Sequence, residues 1–180
     1  MSQPRVTPLK PDEQTEEQQE VLGRVASGGN ANNLFATVGR HPQLLKRWAS
    51  FGNSLLRHGE LAPRDREILV LRTARNCSAD YPFGQHELAT RRLGLSDEER
   101  APIVGTEPAA DPDDQMLIDA ADDLHRDAKL SDATWKRLAD RYTQAQLIEL
   151  VFVVGQYHLV SFLANSLEIE PEAGLARVPR

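Results

Sequence analysis

Glu67, Tyr81 and His86 are the residues whose types and spacing suit proton transfer. Glu67 lies in the run "PRDREILVLRTARN" on a stripe with Val70, Leu71 and Ala74, a helical spacing that turns the carboxylate to the apolar side. A carboxylate in apolar surroundings has its pKa raised, which suits a general acid or base. The plainer alternative is an acidic residue at the start of a helix, paired with a nearby arginine. His86 shares a stripe with Ala89 and Leu93 and also faces inward. There an imidazole can exchange a proton near neutral pH, or simply satisfy a backbone carbonyl in the core. Inward groups on consecutive helices can meet, giving an imidazole oriented by a carboxylate.

The stretch "NCSADYPFGQH" also holds Cys77, the single cysteine of the chain. It has no partner for an internal disulfide, and any sulfenate chemistry would need an external thiol to resolve it. On the last apolar run, His158 and Asn165 stand seven residues apart, hence on one helix face, with Ser161 nearby. Such a polar stripe must find partners, in a pocket or in a hydrogen-bonded seam between subunits, and the seam is the preferred reading. Glu67, His86 and His158 are metal-ligand types, but no H-x-x-x-H or comparable spacing supports them, so no metal is expected.

The elements that must position these groups read as helices throughout. Acids in "DEQTEEQQEVLGRVASGG" suit the start of a short helix from Asp12 that Gly28 and Gly29 stop. Pro42 opens a helix carrying Leu44, Leu45, Trp48, Phe51, Leu55 and Leu56. Pro63 starts the helix of Glu67, and Asp80 with Pro82 starts that of His86, closed by Arg91, Arg92 and Gly94. Ser96 with Glu99, and Thr143 with Gln146, are capping boxes, and Ser131 is an N-cap. The run "QAQLIELVFVVGQYHLVSFLANSL" is apolar nearly all round and belongs at the centre or at a subunit interface. Glu149, Gln156, His158 and Asn165 interrupt it too often for a membrane span. No strand alternation and no internal repeat is present, so the fold class is all-α, one domain. Residues 1–30 form an N-terminal extension with a short helix, 31–168 the helical domain and 169–180 a tail.

Composition narrows the function. A length of 180 residues is enough for a real core, and a net charge of -6 argues against a nucleic-acid binder. One cysteine fits a reducing cytoplasm, and the N-terminus has neither the apolar core of a signal peptide nor the basic character of a transit peptide.

The run "REILVLRTARNCSADYPFGQHELATRRLGLSDEE" resembles the signature of the carboxymuconolactone decarboxylase family, which includes the alkylhydroperoxidase D-like proteins. The likeness is clearest from Leu61 to Glu99 and extends more loosely from Asn33 to Asn165. In the peroxidase branch the signature is a glutamate followed at a fixed interval by C-x-x-C-x-x-x-H. Glu67 matches the glutamate and His86 the histidine without a gap, while Ala79 and Pro82 occupy the cysteine positions and Tyr81 falls between them. Peroxide reduction of that type needs an attacking and a resolving thiol, which these residues do not supply. The resemblance therefore implies an alkylhydroperoxidase D-like bundle, a trimer or hexamer, and cofactor-free acid–base catalysis on a small organic acid or lactone. His86 would carry the proton, Glu67 would set its tautomer and charge, and Tyr81 would donate to an enolate oxygen. Arg72 or Arg75 would hold a substrate carboxylate, with His158 and Asn165 as further pocket residues. A peroxide-reducing oxidoreductase and a non-catalytic helical binding or assembly protein are the rival classes. No cofactor, nucleic acid or membrane partner is expected.

Overall fold

The computed structural model describes residues 4–26 and 31–180. All regular structure among the described residues is helical: α1 Glu16–Val25, α2 Asn33–Val38, α3 Pro42–Arg57, α4 Pro63–Asn76, α5 Asp80–Arg92, α6 Asp97–Val104, α7 Pro112–Asp127, α8 Asp132–Arg141 and α9 Gln144–Leu167. The starts follow side-chain chemistry. Ser96, Ser131 and Thr143 accept from the backbone three residues on, and Glu99 and Gln146 reach back to complete their boxes. The first helix differs from expectation: Asp12 belongs to a 3-10 turn at Pro11–Glu13, and α1 begins at Glu16, capped by Thr15 in a capping box with Gln18. The expected stop at Gly28 and Gly29 lies outside the described residues. The short α2, capped by Asn32, precedes the helix that Pro42 opens and has too few residues to show a period of its own.

The centre of the bundle is α4, packed against α5, α6, α7 and α9. Ile68, Leu69, Val70, Leu71 and Ala74 are fully buried. The same helix buries Asp65, Glu67, Arg72 and Thr73, and each of these has found a partner. Asp65 accepts the Tyr142 hydroxyl at 2.7 Å, and Thr73 donates to the Leu69 carbonyl at 2.7 Å. This pairing is why the more polar α4, rather than the more apolar α9, can occupy the centre.

α9 packs one side on α3, α4, α5, α7 and α8. Its other side leaves Ile148 60%, Phe152 53% and Phe162 60% exposed. By length and composition alone α9 could cross a membrane, yet half of that apolar window is inside the bundle. Glu149 is also committed there, accepting from the backbone N–H groups of Glu60 and Leu61 in the turn before α4.

Both termini fasten the bundle. The N-terminal segment runs across α2 and the end of α9 through Arg5 N–H to the Leu167 carbonyl and Leu9 N–H to the Ala36 carbonyl. The tail returns over α2 and α5, where Glu172 accepts from the Asn33 N–H at 2.8 Å and Gln85 Nε2 at 2.6 Å. Arg177 donates to Asp80 at 2.9 Å.

Candidate active site and its surroundings

Consecutive helices α4 and α5 bring Glu67 and His86 together. Glu67 Oε2 lies 2.5 Å from His86 Nδ1, with the carboxylate side chain 5% and the imidazole 15% exposed. Their spacing along each helix accounts for this, since both sit on the faces that α4 and α5 turn to one another. Burial pushes the Glu67 carboxyl up, but the His86 and Arg66 charges outweigh it and hold it below the usual carboxylate range. The expected elevation of this carboxyl is thus reversed, because the apolar setting came with an imidazole and a guanidinium.

Two neighbours complete the group. Arg66 Nε stands 3.6 Å from Glu67 Oε1, mostly buried at 12% side-chain exposure, and this Nε has no hydrogen-bond partner among the described residues. From α9, Tyr157 meets the imidazole edge to face, with ring centroids 4.7 Å apart. Burial, with the Glu67 charge adding to it, pushes the Tyr157 phenol up, so it stays protonated. Neither residue stood out in the sequence. Arg66 is one arginine in a charged helix start, and Tyr157 reads as part of an apolar run. The signal for Arg66 was its adjacency to the carboxylate; for Tyr157 there was none.

Tyr81 does not join the pair. It lies five residues before His86 on α5, about 140° around the helix, so it looks elsewhere. Its hydroxyl accepts from the Leu34 N–H at 3.3 Å and donates to Glu172 at 3.4 Å, anchoring the tail. Burial, then the Glu172 charge, pushes this phenol up as well.

The expected carboxylate-binding arginines are also otherwise engaged. Arg72 forms a bidentate pair with Asp122 at 2.6 and 2.7 Å and donates to the carbonyls of Ile103 and Gly105. It is buried and structural, tying α4 to α7 and to the end of α6. Arg75 donates to the Val104 carbonyl at 3.1 Å. The carbonyl acceptors of Ile103, Val104 and Gly105 at the α6 end explain both placements.

His158 and Asn165 do form a polar seam, but within one chain. Asn165 Nδ2 donates to the Cys77 carbonyl at 2.9 Å, holding the C-terminal end of α4 against α9. His158 Nδ1 donates to the Val154 carbonyl at 2.9 Å, and its Nε2 faces His125 Nδ1 at 3.0 Å. His158 is therefore committed to α7 rather than to a set with Glu67 and His86. Cys77 points to the same place, its Sγ 3.9 Å from His125 Nδ1, and burial pushes its thiol up.

Two depressions on the surface lie away from Glu67 and His86. A groove of about 750 Å³ runs along α9, lined by Phe51, Trp135, Leu147, Val151, Phe152 and Leu159. A smaller one of about 190 Å³ lies beside the tail, lined by Asp80, Tyr81, Asn165, Glu170 and Arg177.

The helical architecture places the chain in a known fold. No family model matches the sequence. No curated protein matches it either. Solved structures do. An uncharacterised peroxidase-related protein from Silicibacter sp. TM1040 superposes with a TM-score of 0.80 at 18% identity, over 96% of each chain. A second peroxidase-related protein, an alkylhydroperoxidase AhpD core from Ralstonia eutropha JMP134, gives 0.75 at 18% identity, over 92% of this chain and 87% of the other. The debrominase Bmp8, as a cysteine-to-alanine variant in complex with 2,3,4-tribromopyrrole, gives 0.71 at 14% identity, over 93% and 91%. The fold is alkylhydroperoxidase D-like, all-α, as the Glu67–His86 stretch suggests.

Proposed function

We propose that this protein catalyses cofactor-free proton transfer or decarboxylation on a small conjugated organic acid or lactone, with His86 as the proton carrier. The observation that carries this reading is the 2.5 Å contact between Glu67 and His86 Nδ1 inside a largely buried group. With Nδ1 committed to the carboxylate, exchange with substrate falls to Nε2. Arg66 takes the place that the resemblance gives to Arg72 or Arg75: its buried Nε, free of a hydrogen-bond partner among the described residues, suits a substrate carboxylate or enolate oxygen. In the decarboxylating case the bond to the carboxylate carbon breaks and carbon dioxide leaves. Its electron pair flows into the conjugated carbonyl, and His86 protonates the resulting carbanion before recovering a proton from water.

A neighbour of the same fold that binds a brominated pyrrole supports a small planar ligand. Dithiol-dependent peroxide reduction is disfavoured, because Ala79 and Pro82 bring no sulfur and Cys77 faces His125. A non-catalytic reading draws on one observation, that neither of these two depressions is lined by Glu67 or His86. A panel of unsaturated carboxylates and lactone acids, followed for carbon dioxide release, separates these readings: release that needs both His86 and Arg66 supports the proposal. Release from no member, with dithiol-dependent peroxide turnover instead, would contradict it.

The same reading includes a homo-oligomer, trimer or hexamer, in the cytoplasm. Its support is the apolar groove along α9 with Phe152, Ile148 and Val151 open beside it, and a single cysteine without a disulfide partner.

A further inference from the structure

Cys77, His125 and His158 are 48 and 33 residues apart in the chain and meet where the C-terminal end of α4, the last turn of α7 and the middle of α9 converge. One ligand atom from each, the Cys77 sulfur, His125 Nδ1 and His158 Nε2, falls within 4.8 Å of the others. We propose that these three side chains bind a zinc-class divalent ion, with the fourth position left to solvent.

The separations fit. Tetrahedral zinc, with bonds of about 2.3 Å to sulfur and about 2.0–2.1 Å to nitrogen, sets ligand atoms about 3.3–3.6 Å apart. Here the sulfur-to-nitrogen distance is 3.9 Å and the nitrogen-to-nitrogen distance 3.0 Å. The third separation, from the Cys77 sulfur to His158 Nε2, is within 4.8 Å, so side-chain shifts of up to about an ångström bring the three atoms to the zinc spacing. A thiolate with two imidazoles is a borderline-soft donor set that suits zinc and cobalt(II) over magnesium or calcium.

The surroundings are those of a ligand site. His158 Nδ1 donates to the Val154 carbonyl at 2.9 Å, which fixes the tautomer and leaves the lone pair of Nε2 facing the cluster. The Cys77 backbone is held by Asn165, and the preceding Asn76 by Asp122, the carboxylate that also clamps Arg72. Phe162 meets the His158 ring edge-on, with centroids 6.0 Å apart. His125 is exposed, so the cluster is open to an incoming ion and to water. Without an ion the same arrangement is held by one hydrogen bond, His125 Nδ1–H to His158 Nε2. The ion would take the place of that proton, which moves to the solvent-facing His125 Nε2, and the Cys77 thiol would release its proton to water on binding.

Cobalt(II) is the probe, because a thiolate ligand gives a charge-transfer band in the near ultraviolet and tetrahedral geometry gives intense visible bands. Titration of the full chain is expected to show both, with one ion per chain and displacement by zinc. Cys77→Ser should remove the charge-transfer band. Loss of an outer partner of a metal ligand already weakens binding by about 10–100-fold, so His125→Ala or His158→Ala should cost at least about tenfold in zinc affinity. His125 is exposed, so its variant should keep the wild-type helical circular dichroism and report on binding alone. The weak spectrum of octahedral cobalt, or affinity unchanged in the His125 and Cys77 variants, would overturn the proposal. So would binding that disappears in His86→Ala and persists in Cys77→Ser.

Discussion

Glu67 Oε2 and His86 Nδ1 lie 2.5 Å apart across the contact between α4 and α5, and Arg66 approaches the same carboxylate at 3.6 Å from its other oxygen. One carboxylate thus faces an imidazole and a guanidinium in a nearly dry setting. The imidazole is held in one orientation, and the buried guanidinium Nε is left without a hydrogen-bond partner among the described residues.

The charge state of Glu67 links this group to stability. Its carboxyl is held below the usual range in the folded chain, so it contributes stability above the unfolded pKa and loses it as pH falls through the folded value. Melting temperatures of wild type and Glu67→Gln should therefore differ most near about pH 7 and converge toward about pH 3. A gap that is constant across that range would show that the carboxylate's charge plays no part.

Arg72 is expected to behave as a structural residue. Arg72→Ala leaves Asp122 without its bidentate partner and three backbone carbonyls without a donor, a loss of about 3–5 kcal/mol by analogy with other broken buried pairs, the lower end applying because Asp122 is partly exposed. Denaturant unfolding checks this. A variant of unchanged stability but impaired ligand binding would return Arg72 to the substrate-binding role.

Tyr81→Phe separates an anchoring hydroxyl from a catalytic one. Removing it costs the hydrogen bond to Glu172 and leaves the Leu34 N–H unpaired, about 1–2 kcal/mol in all. Turnover of any substrate found should be within about threefold of wild type at a temperature where both are folded. A much larger loss would place the phenol in the chemistry.

Much of the bundle was legible in the sequence, because helix starts are written in short-range chemistry. Thr143 with Gln146 and Ser96 with Glu99 cap the helices they were expected to cap. Glu67 and His86 were legible for a similar reason: inward placement needs only helical spacing. What spacing does not carry is the partner across the bundle. Arg72 was a generic cation until α7 supplied Asp122, and His158 was a polar interruption until α7 supplied His125. The centrality of α4 was hidden too, because its buried charges look like surface residues unless their partners are known.

The open face of α9 sets the expectation for assembly. Phe152, half exposed, packs on Phe51 with centroids 5.8 Å apart at the edge of the apolar groove. Light scattering of the wild type at micromolar concentration should give a multiple of the 20.1 kDa chain mass, and Phe152→Asp should lower it. A wild-type mass of one chain would contradict the oligomer.

The most direct test of proton transfer by His86 is the incorporation of solvent deuterium into a carbon acid, read by proton NMR in deuterated water with the small unsaturated carboxylates and lactone acids as substrates. Wild type should label the carbon next to the carbonyl, or the carbon that loses carbon dioxide. His86→Ala should fall to the uncatalysed rate while keeping its helical fold, and Glu67→Gln should retain a reduced rate. Labelling that survives His86→Ala undiminished would contradict the assignment of His86 as the proton carrier.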